Sequence, residues 1–375
     1  MRILVTCFSP AWGGLELQAR DLACHLQERG HEVWLACLPD SPLEREAKEQ
    51  QVHPLPFDVT GYVHPRLVWR LGKFIARNQL DIIHCHLSRD IATVVPAMKL
   101  SMTEVPIVLT RGMGSGISKK DPLHQFTYGN LALVIAVSSV IHRNILETTP
   151  MVPERVVTVP CGIDSAYFSP ERVTGAGVRR EFGYDRETTV VGFVGRFSPG
   201  KGHEELLKAA AAIAKQRPRT RFLVVGQASH GEQAYEQQIR KMHAEMGLEG
   251  VMTFAGYRKD VPEVMAAFDL LAFPSHAEAF GLVLTEAMAM ERAVVASSSD
   301  GVLDIVVDGE TGLLVPPRDA DRLAGGLLRL IDDPPLRERL GKAGRRRVLE
   351  FFDQKKQLDR LEELYGQLQR HEPIS

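Results

Sequence analysis

Short apolar runs alternate with longer amphipathic stretches along the whole chain. RILVTCF, EVWLACL, DIIHCH, IVLT, LVIAVS and VVTV lie in the first half, and VVGFVG, RFLVVG, VMTFAG, LLAFP, AVVAS and GLLV in the second. Short apolar runs separated by helical stretches indicate βαβ units and parallel sheets covered on both faces. The pattern therefore predicts an α/β protein with two doubly wound parallel sheets.

The alternation is interrupted once, between Cys161 and Pro170, where Gly, Asp, Ser and Pro cluster as they do in a linker. We therefore predict one domain at residues 1–165 and a second at residues 170–353, which suits a chain of 375 residues. The last segment, residues 354–375, is charged but carries a helical repeat of apolar positions. These positions are Leu358, Leu361, Leu364, Tyr365 and Leu368.

Composition and charge narrow the class of protein. A net charge of -2 and 25% charged residues are ordinary for a globular protein and give no general attraction to nucleic acid. No apolar run approaches the roughly 18 residues that cross a bilayer. The five cysteines are scattered and include no C-x-x-C pair, which favours a reducing compartment over a disulfide framework or a zinc site. We expect a cytoplasmic protein.

Ligands of open parallel sheets bind beyond the carboxyl ends of the strands, so the loops after the strands are the first places to search. After RILVTCF, Gly13 and Gly14 precede a helix and suit either a tight turn or a close approach to an anion. After VVGFVG, Arg196 and Lys201 flank a Ser-Pro-Gly turn. They could converge on a diphosphate leaving group, or they could be two solvated charges.

The loop after LLAFP contains Glu278, and Glu286 follows with seven residues between them. The segment FGL opens a predicted helix, whose first N–H groups suit a phosphate. Carboxylates there suit hydrogen bonds to the hydroxyls of a sugar or a ribose. The plain alternative is an acidic first helical turn followed by an ordinary surface glutamate.

Two further pairs of polar residues invite a metal interpretation. His84 and His86 share one face of a strand. Because no third ligand is evident nearby, we favour a polar contact with substrate or a hydrogen-bonded core histidine. Asp319 and Asp321 form a D-A-D string at the start of a predicted helix, where carboxylates are common. We expect neither pair to hold a metal.

Taken in order, these strings resemble glycosyltransferase family 4, the retaining enzymes of the GT-B fold. The resemblance covers nearly the whole chain, and its most specific part is the E-x7-E block with Arg196 and Lys201 upstream. It implies two Rossmann-like domains that face a central cleft, with the last helix returning to the first domain. The matching strings are WGGLE, RGHEV, DIIHCH, GIDSAYFSP, VGRFSPGKG, FAGY, EAFGLVLTEA and DGETGLLVPPRD.

The resemblance also implies roles for individual residues. Glu278 would contact the donor sugar at the reacting centre, and His86 would face the transferred sugar. Arg196 and Lys201 would hold the diphosphate, and Glu286 the ribose. The implied donor-binding residues are Gly14, Arg196, Lys201, Tyr257, Arg258, Phe280, Gly281, Leu282 and Glu286.

The implied activity is transfer of a hexose from a UDP- or GDP-sugar, a co-substrate, with retention of configuration and with no metal or other cofactor. The acceptor is unidentified, and a lipid-linked or cell-envelope glycan is one candidate. Two alternatives are an inactive nucleotide-sugar-binding subunit and a nucleotide-sugar epimerase of the same fold. This chain has Arg111 and Cys161 where many relatives have His or Asn. Arg111, with Lys119 and Lys120, could bind an anionic acceptor or lie in a solvated loop.

The segment at residues 64–79, HPRLVWRLGKFIARNQ, has a basic stripe at helical spacing beside apolar residues. A helix of this kind could rest on anionic lipid at the inner face of the cell membrane. The alternative is the solvated face of a crossover helix, which commonly has such a stripe. The basic residues are Arg66, Arg70, Lys73 and Arg77, and the apolar residues are Leu67, Trp69, Leu71, Phe74 and Ile75.

Overall fold

The computed structural model describes residues 1–58, 65–229 and 231–374. The chain divides into two compact units. The first unit is Met1–Pro160 together with the C-terminal segment that begins at Gln357, and the second unit is Cys161–Lys356. The division at Cys161 falls at the start of the Gly, Asp, Ser and Pro segment, a few residues before the boundary that the sequence pattern predicts.

The first unit is built on a seven-stranded parallel sheet with the order β3-β2-β1-β4-β5-β6-β7. Six of its strands coincide with the apolar runs of the sequence. The seventh, β3, has the sequence HPLP at the edge of the sheet, where proline is tolerated because one side needs no ladder hydrogen bonds. The strands are β1 (Arg2–Cys7), β2 (Glu32–Cys37), β3 (His53–Pro56), β4 (Ile82–Cys85), β5 (Ile107–Arg111), β6 (Leu133–Ala136) and β7 (Val156–Thr158).

Helices connect these strands in the alternation that the sequence predicts. The helix predicted at residues 64–79 is observed at Pro65–Asn78, and its predicted first residue lies outside the described part of the chain. The helices are α1 (Gly14–Glu28), α2 (Pro42–Glu49), α3 (Pro65–Asn78), α4 (Ile91–Ser101), α5 (Pro122–Gly129) and α6 (Ser139–Thr148).

The second unit has a six-stranded parallel sheet with the order β10-β9-β8-β11-β12-β13. Its strands are β8 (Thr189–Val194), β9 (Thr220–Val225), β10 (Met252–Gly256), β11 (Leu270–Phe273), β12 (Ala293–Ser297) and β13 (Leu313–Val315). Its helices are α7 (Ala176–Glu181), α8 (His203–Ala214), α9 (Gln233–Glu245), α10 (Val261–Ala267), α11 (Leu282–Ala289), α12 (Val302–Ile305), α13 (Ala320–Asp332) and α14 (Pro334–Phe351).

The last helix, α15 (Gln354–Gln369), packs its apolar stripe into the core of the first unit. Four of its side chains share that core with strand residues of the first sheet. They are Leu358, Leu361, Leu364 and Tyr365. Across residues 1–58, 65–229 and 231–374, no helix combines the length and the apolar content that a membrane span requires.

Each sheet has one place where the strand order reverses. In the first sheet β1 lies between β2 and β4, and in the second sheet β8 lies between β9 and β11. Neighbouring carboxyl ends at such a switch point are followed by loops that leave the sheet in opposite directions, which opens a crevice for a ligand. The loops after β1 and β4, and those after β8 and β11, are therefore where each unit is best suited to bind one.

The loops after β8 and β11 approach each other closely at Gly202. Its backbone is left-handed, with a φ of +81°, and a Cβ added there would lie 2.2 Å from the carbonyl oxygen of Pro274. Gly200 has a similar φ of +86°, but a Cβ there would meet nothing within 4 Å. Of these two residues, Gly202 alone must be glycine both for its backbone angle and for the close contact.

Behind the loop after β8, His203 is buried in an aromatic cage. Its ring lies 4.5 Å from the Phe197 ring and 4.6 Å from the Phe193 ring, measured between centroids. Neither ring nitrogen has a hydrogen-bond partner among the described residues. Burial therefore lowers the pKa of His203 to about 4.

We predict that Gly202→Ala destabilises the protein more than Gly200→Ala. The left-handed backbone costs an alanine about 1–2 kcal/mol at either position. The contact with Pro274 should add about 1–3 kcal/mol at Gly202 alone. Urea denaturation of the two variants measures the difference, and equal losses of unfolding free energy would contradict the close approach.

We predict that His203→Phe makes the protein less sensitive to acid. The unfolded histidine takes up a proton near pH 6.5, which the buried ring resists, so wild-type stability is lost as the pH falls below that value. Between pH 7 and pH 5 the wild type should lose about 2 kcal/mol more than the variant. Urea denaturation followed by circular dichroism at both pH values measures this, with exposed His53→Gln as the control. An equal loss in wild type and His203→Phe would refute the prediction.

Candidate functional site

The switch point of the second unit brings Lys201 and Glu278 together. Lys201 follows β8 and Glu278 follows β11, and Nζ of the lysine lies 2.6 Å from Oε2 of the glutamate. The two loops are also joined through the backbone, because the His276 N–H donates to the carbonyl of Gly200 at 2.8 Å. The lysine side chain is only 25% exposed and the glutamate side chain 18%, so neither is a freely solvated charge.

Arg196 lies on the same loop as Lys201 and is exposed. Its guanidinium donates to the Ser229 hydroxyl at 3.3 Å, and it forms no ion pair with a carboxylate among the described residues. It is thus a cation that an incoming anion can meet without breaking a salt bridge.

Helix α11 begins beside this pair. Gly281 is its N-cap residue with a φ of +111°, and the first N–H groups of a helix have no partner within it. The ring of Phe280 is buried against Phe352, 5.8 Å between centroids, so only the backbone of Phe280 can face a ligand. Glu278 precedes the N-cap, and the alternative of an acidic first turn is therefore wrong.

Glu286 lies one turn into α11. Burial raises the pKa of its carboxyl to about 7. The residue is also half-buried, so the alternative of an ordinary surface glutamate does not fit it. A carboxyl that titrates near neutral pH can both donate and accept hydrogen bonds, which suits contacts with hydroxyl groups.

Tyr257 and Arg258, after β10, differ in how available their side chains are. Tyr257 is exposed, with 56% of its surface accessible. Arg258 is held by Asp260 and by Glu181, whose hydrogen bonds raise its pKa. Its guanidinium thus links the loop to α7, and an anion would have to compete with two carboxylates for it.

His84 in β4 and His86 directly after it stack on each other in the first unit, with ring centroids 4.9 Å apart. His84 is a hydrogen-bonded core histidine, as one of the sequence alternatives proposed. Its Nε2 lies 2.7 Å from the Thr110 hydroxyl, and its Nδ1 pairs with the Tyr365 hydroxyl. His86 is also buried, but its Nε2 has no partner among the described residues. Burial lowers its pKa to about 4, so the ring is neutral at physiological pH.

Gly14 is the first residue of α1, directly after the loop that follows β1. Gly13 is the N-cap residue, and its φ of -169° is extended backbone that any residue adopts. A Cβ there would meet only the Glu16 carboxylate, at 3.5 Å, so neither the backbone angle nor the described surroundings of Gly13 require a glycine.

Arg111, at the end of β5, does not lie in a solvated loop. Only 4% of its surface is exposed, and its guanidinium donates to the Met113 carbonyl and to the Asn144 side chain, both at 3.2 Å. Burial lowers its pKa, as it does for the neighbouring Lys119. No carboxylate pairs with Arg111 in the part of the chain that the structure describes.

Sequence reasoning missed a second group of side chains at the edge of the second sheet. The His276 ring lies 3.0 Å from a Glu205 carboxylate oxygen through Nε2, and Nδ1 accepts from Arg318 at 3.3 Å. The three residues come from α8 and from the loops after β11 and β13, far apart in sequence. No local spacing could have revealed them.

The D-A-D string has the structural role that the sequence predicts. Asp319 is the N-cap of α13, and its carboxylate accepts the Arg322 N–H at 2.9 Å. Within residues 1–58, 65–229 and 231–374, no three His, Cys, Asp or Glu side chains are grouped as metal ligands.

Two family models match the chain, one for each unit. Glycosyltransferase Family 4 matches residues 12–167, and Glycosyl transferases group 1 matches residues 178–347. The first match contains Gly14, His86 and Arg111, and the second contains Lys201 and Glu278.

Curated relatives agree with these models. The phosphatidyl-myo-inositol mannosyltransferase of Mycolicibacterium smegmatis is 30% identical over 348 residues, which are 87% of this chain and 83% of that protein. The D-inositol 3-phosphate glycosyltransferase of Corynebacterium aurimucosum is 35% identical over 207 residues, 54% of this chain. The match spans only 49% of the latter protein, and 60% of the enzyme of the same name from Stackebrandtia nassauensis.

Solved structures share the fold over nearly the whole chain. Anabaena Alr3699/HepE in complex with UDP has a TM-score of 0.84 at 23% identity, covering 97% of this chain and 99% of that one. A glycosyltransferase from Rickettsia africae has a TM-score of 0.86 at 21% identity, covering 98% of each chain. The predicted α/β fold of GT-B class is confirmed, and the chain belongs to glycosyltransferase family 4.

Proposed function

We propose that the protein is a retaining hexosyltransferase whose second unit binds a nucleotide-diphosphate sugar at its switch point. The observation that supports this best is the Lys201–Glu278 pair, 2.6 Å apart beside the start of α11. A cation, a carboxylate and free helix N–H groups in one place match the two parts of such a donor. The diphosphate needs positive charge and the sugar needs hydrogen-bond acceptors.

In this proposal the leaving diphosphate is stabilised by Arg196, Lys201 and the first N–H groups of α11. Charge that grows on the leaving group is best stabilised by donors already fixed in place, and the ion pair with Glu278 fixes Lys201 before the donor arrives. Because the protein supplies this positive charge, we propose that transfer needs no metal ion.

Glu278 has a second task in the proposal, which is to position the transferred sugar. Once the diphosphate engages Lys201, the glutamate oxygens are available to sugar hydroxyl groups. Glu286, whose pKa is raised to about 7 by burial, is suited to hydrogen-bond the ribose hydroxyls as either donor or acceptor. The backbone beside Tyr257 is proposed to hold the base.

The first donor to test is a UDP-sugar, with GDP-sugars as the alternative. The similar Anabaena protein has been solved with UDP, and also with UDP-glucose. Because a protein of this fold has been solved with UDP, we choose uridine as the first nucleotide to test with this chain.

We propose an acceptor that carries a phosphate or another anionic group. Arg111 is a buried cation without a carboxylate partner among the described residues, and Lys119 lies near it. A buried charge is costly unless it meets an opposite charge, so an anion would be stabilised there. The names of the relatives include D-inositol 3-phosphate and phosphatidyl-myo-inositol, both of which carry phosphate. A lipid-linked acceptor would agree with a role in building the cell envelope.

We predict that a UDP-sugar raises the melting temperature of the wild type and of Glu278→Gln in the presence of EDTA. Ligand at 100 times its dissociation constant adds about 2.7 kcal/mol of stability. Only the wild type should transfer the sugar efficiently, and the variant should lose about 100-fold or more in kcat. Inositol phosphate and phosphatidylinositol are the acceptors to supply, and the anomeric coupling of the product by NMR reports retention.

Each of the other outcomes would contradict a different part of the proposal. Wild-type-like turnover by Glu278→Gln would refute the role of that residue, and a product of opposite anomeric configuration would refute retention. Donor binding without transfer to any acceptor would favour an inactive subunit, and interconversion of donor sugars alone would favour an epimerase. If no nucleotide sugar raises the melting temperature, the donor site itself is wrong.

A peripheral contact of α3 with the cytoplasmic face of an anionic membrane is a further part of the proposal. The structure corrects the apolar half of the predicted stripe, because Leu67, Leu71 and Ile75 are buried within the first unit. Trp69 is 52% exposed, and Lys73 Nζ lies 3.5 Å from the centre of its ring. The exposed surface of α3 is thus basic with one amphipathic anchor, which favours electrostatic binding over deep insertion. The basic residues on it are Arg66, Arg70, Lys73 and Arg77.

We predict that the protein floats with liposomes that contain anionic lipid, and not with zwitterionic liposomes. Each arginine or lysine near the surface contributes about 1 kcal/mol, so Arg66→Gln with Arg70→Gln should release most of the protein. The matched control is the pair Arg217→Gln and Arg240→Gln, two half-exposed arginines of the second unit. Equal flotation of both double variants would contradict a contact through α3.

A further inference from the structure

The loop after β4 contains a buried carboxylate that the proposed mechanism does not use. Asp90 lies four residues after His86 and is only 2% exposed. It occupies the N-cap position of α4, but its side chain makes no capping hydrogen bond to that helix. Its Oδ2 accepts instead from the backbone N–H of Phe8, 3.1 Å away in the loop after β1.

The neighbouring residue holds the other polar group of Phe8. A guanidinium nitrogen of Arg89, Nη2, donates to the Phe8 carbonyl. Two consecutive residues of the loop after β4 therefore bind both the N–H and the C=O of one residue in the loop after β1. The ring of Phe8 is itself buried, so the residue is held by its backbone and by its side chain.

This arrangement lowers the stability of the fold. The second oxygen of Asp90, Oδ1, is buried without a hydrogen-bond partner among the described residues, and Arg89 Nε lies 4.0 Å from it, at the limit of an ion pair. Burial raises the pKa of Asp90 to about 7. A buried polar group without a hydrogen-bond partner destabilises the folded state, and helix capping cannot offset that here because the side chain makes no cap. A benefit other than stability would explain why an aspartate stands at position 90.

We propose that Arg89 and Asp90 are positioning residues, which clamp Phe8 and thereby fix the segment from Ser9 to Gly14. This inference rests on the proposed function, because that segment leads to Gly14, the predicted contact for the donor phosphate. Apart from the clamp, the hydrogen bonds that the structure describes for the segment are local: the Ala11 N–H donates to the Ser9 hydroxyl, and the Leu17 N–H donates to the Gly13 carbonyl. The clamp ties the segment to the loop that begins with His86, directly after β4, so both elements keep one geometry.

The test compares Asp90→Ala with Asp90→Asn. Alanine leaves the Phe8 N–H without an acceptor, whereas the amide oxygen of asparagine can still accept it. We expect Asp90→Ala to speed hydrogen exchange of the amides from Phe8 to Gly14 about tenfold or more, which corresponds to about 1.4 kcal/mol. With a UDP-sugar, kcat/KM for the donor should fall about as much, while KM for the acceptor stays unchanged. Asp90→Asn should recover both values to within about threefold.

Two further variants keep the test decisive. Thr149→Ala removes a buried hydroxyl that donates to the Ile145 carbonyl at 2.7 Å, between α6 and β7, and should lower the melting temperature without changing exchange in the segment. Arg89→Met removes the other half of the clamp with a side chain that is 60% exposed, so it should fold even if Asp90→Ala does not. It should speed exchange over the same amides.

Each result decides one claim. If exchange in the segment is the same in Asp90→Ala, Arg89→Met and Thr149→Ala, the clamp is refuted, whatever the enzyme does. If exchange rises but kcat/KM for the donor does not fall, the clamp exists and its link to donor binding is refuted. If no nucleotide sugar shifts the melting temperature of the wild type, the proposed function fails, and the exchange data still decide the clamp.

Discussion

Strand order is the constraint on which the rest of this structure depends. The described strands of both sheets pair in parallel, so each connection must return along the sheet to the end at which the next strand begins. The strand order of each sheet reverses at one pair of strands, β1/β4 in the first unit and β8/β11 in the second. The loops that follow these strands are neighbours although they are far apart in sequence. Lys201 and Glu278 meet for this reason, and so do Phe8 and Asp90. The chemistry of each unit follows from its topology before any single side chain is considered.

In both units, charged or ionisable side chains near the carboxyl ends of the strands are kept at a cost to stability. The second unit keeps a half-buried ion pair, an uncapped helix start and a glutamate whose pKa burial raises. The first unit keeps a buried arginine without a carboxylate partner among the described residues, and a buried aspartate that caps no helix. None of these choices maximises the free energy of unfolding. Groups of this kind are expected where a protein binds charged ligands and holds its loops for them.

The sequence predicts most of the fold because a buried parallel strand is a short apolar run, and twelve such runs became strands. It misses β3, because the two prolines in HPLP hide an edge strand. Lys201 and Glu278 were predictable from their motifs, and their roles remain predictions. The burial of Asp90 was not predictable from the sequence, because LSRD has the composition of a surface loop and only the fold buries it. The basic stripe of α3 was predicted, and helical spacing also separates Leu67, Leu71 and Ile75, each one turn apart, from exposed Trp69 on the opposite face.

The central claim is that the β8/β11 switch point binds a diphosphate through Lys201. Calorimetric titration of UDP and of uridine into the wild type, Lys201→Met and Arg217→Met tests it most directly, because the two ligands differ only in the diphosphate. We predict that Lys201→Met weakens UDP binding about tenfold or more, as expected for the loss of a charge-assisted contact, and leaves uridine binding unchanged. Arg217→Met should bind both ligands like the wild type. Equal affinity of wild type and Lys201→Met for UDP would contradict the account.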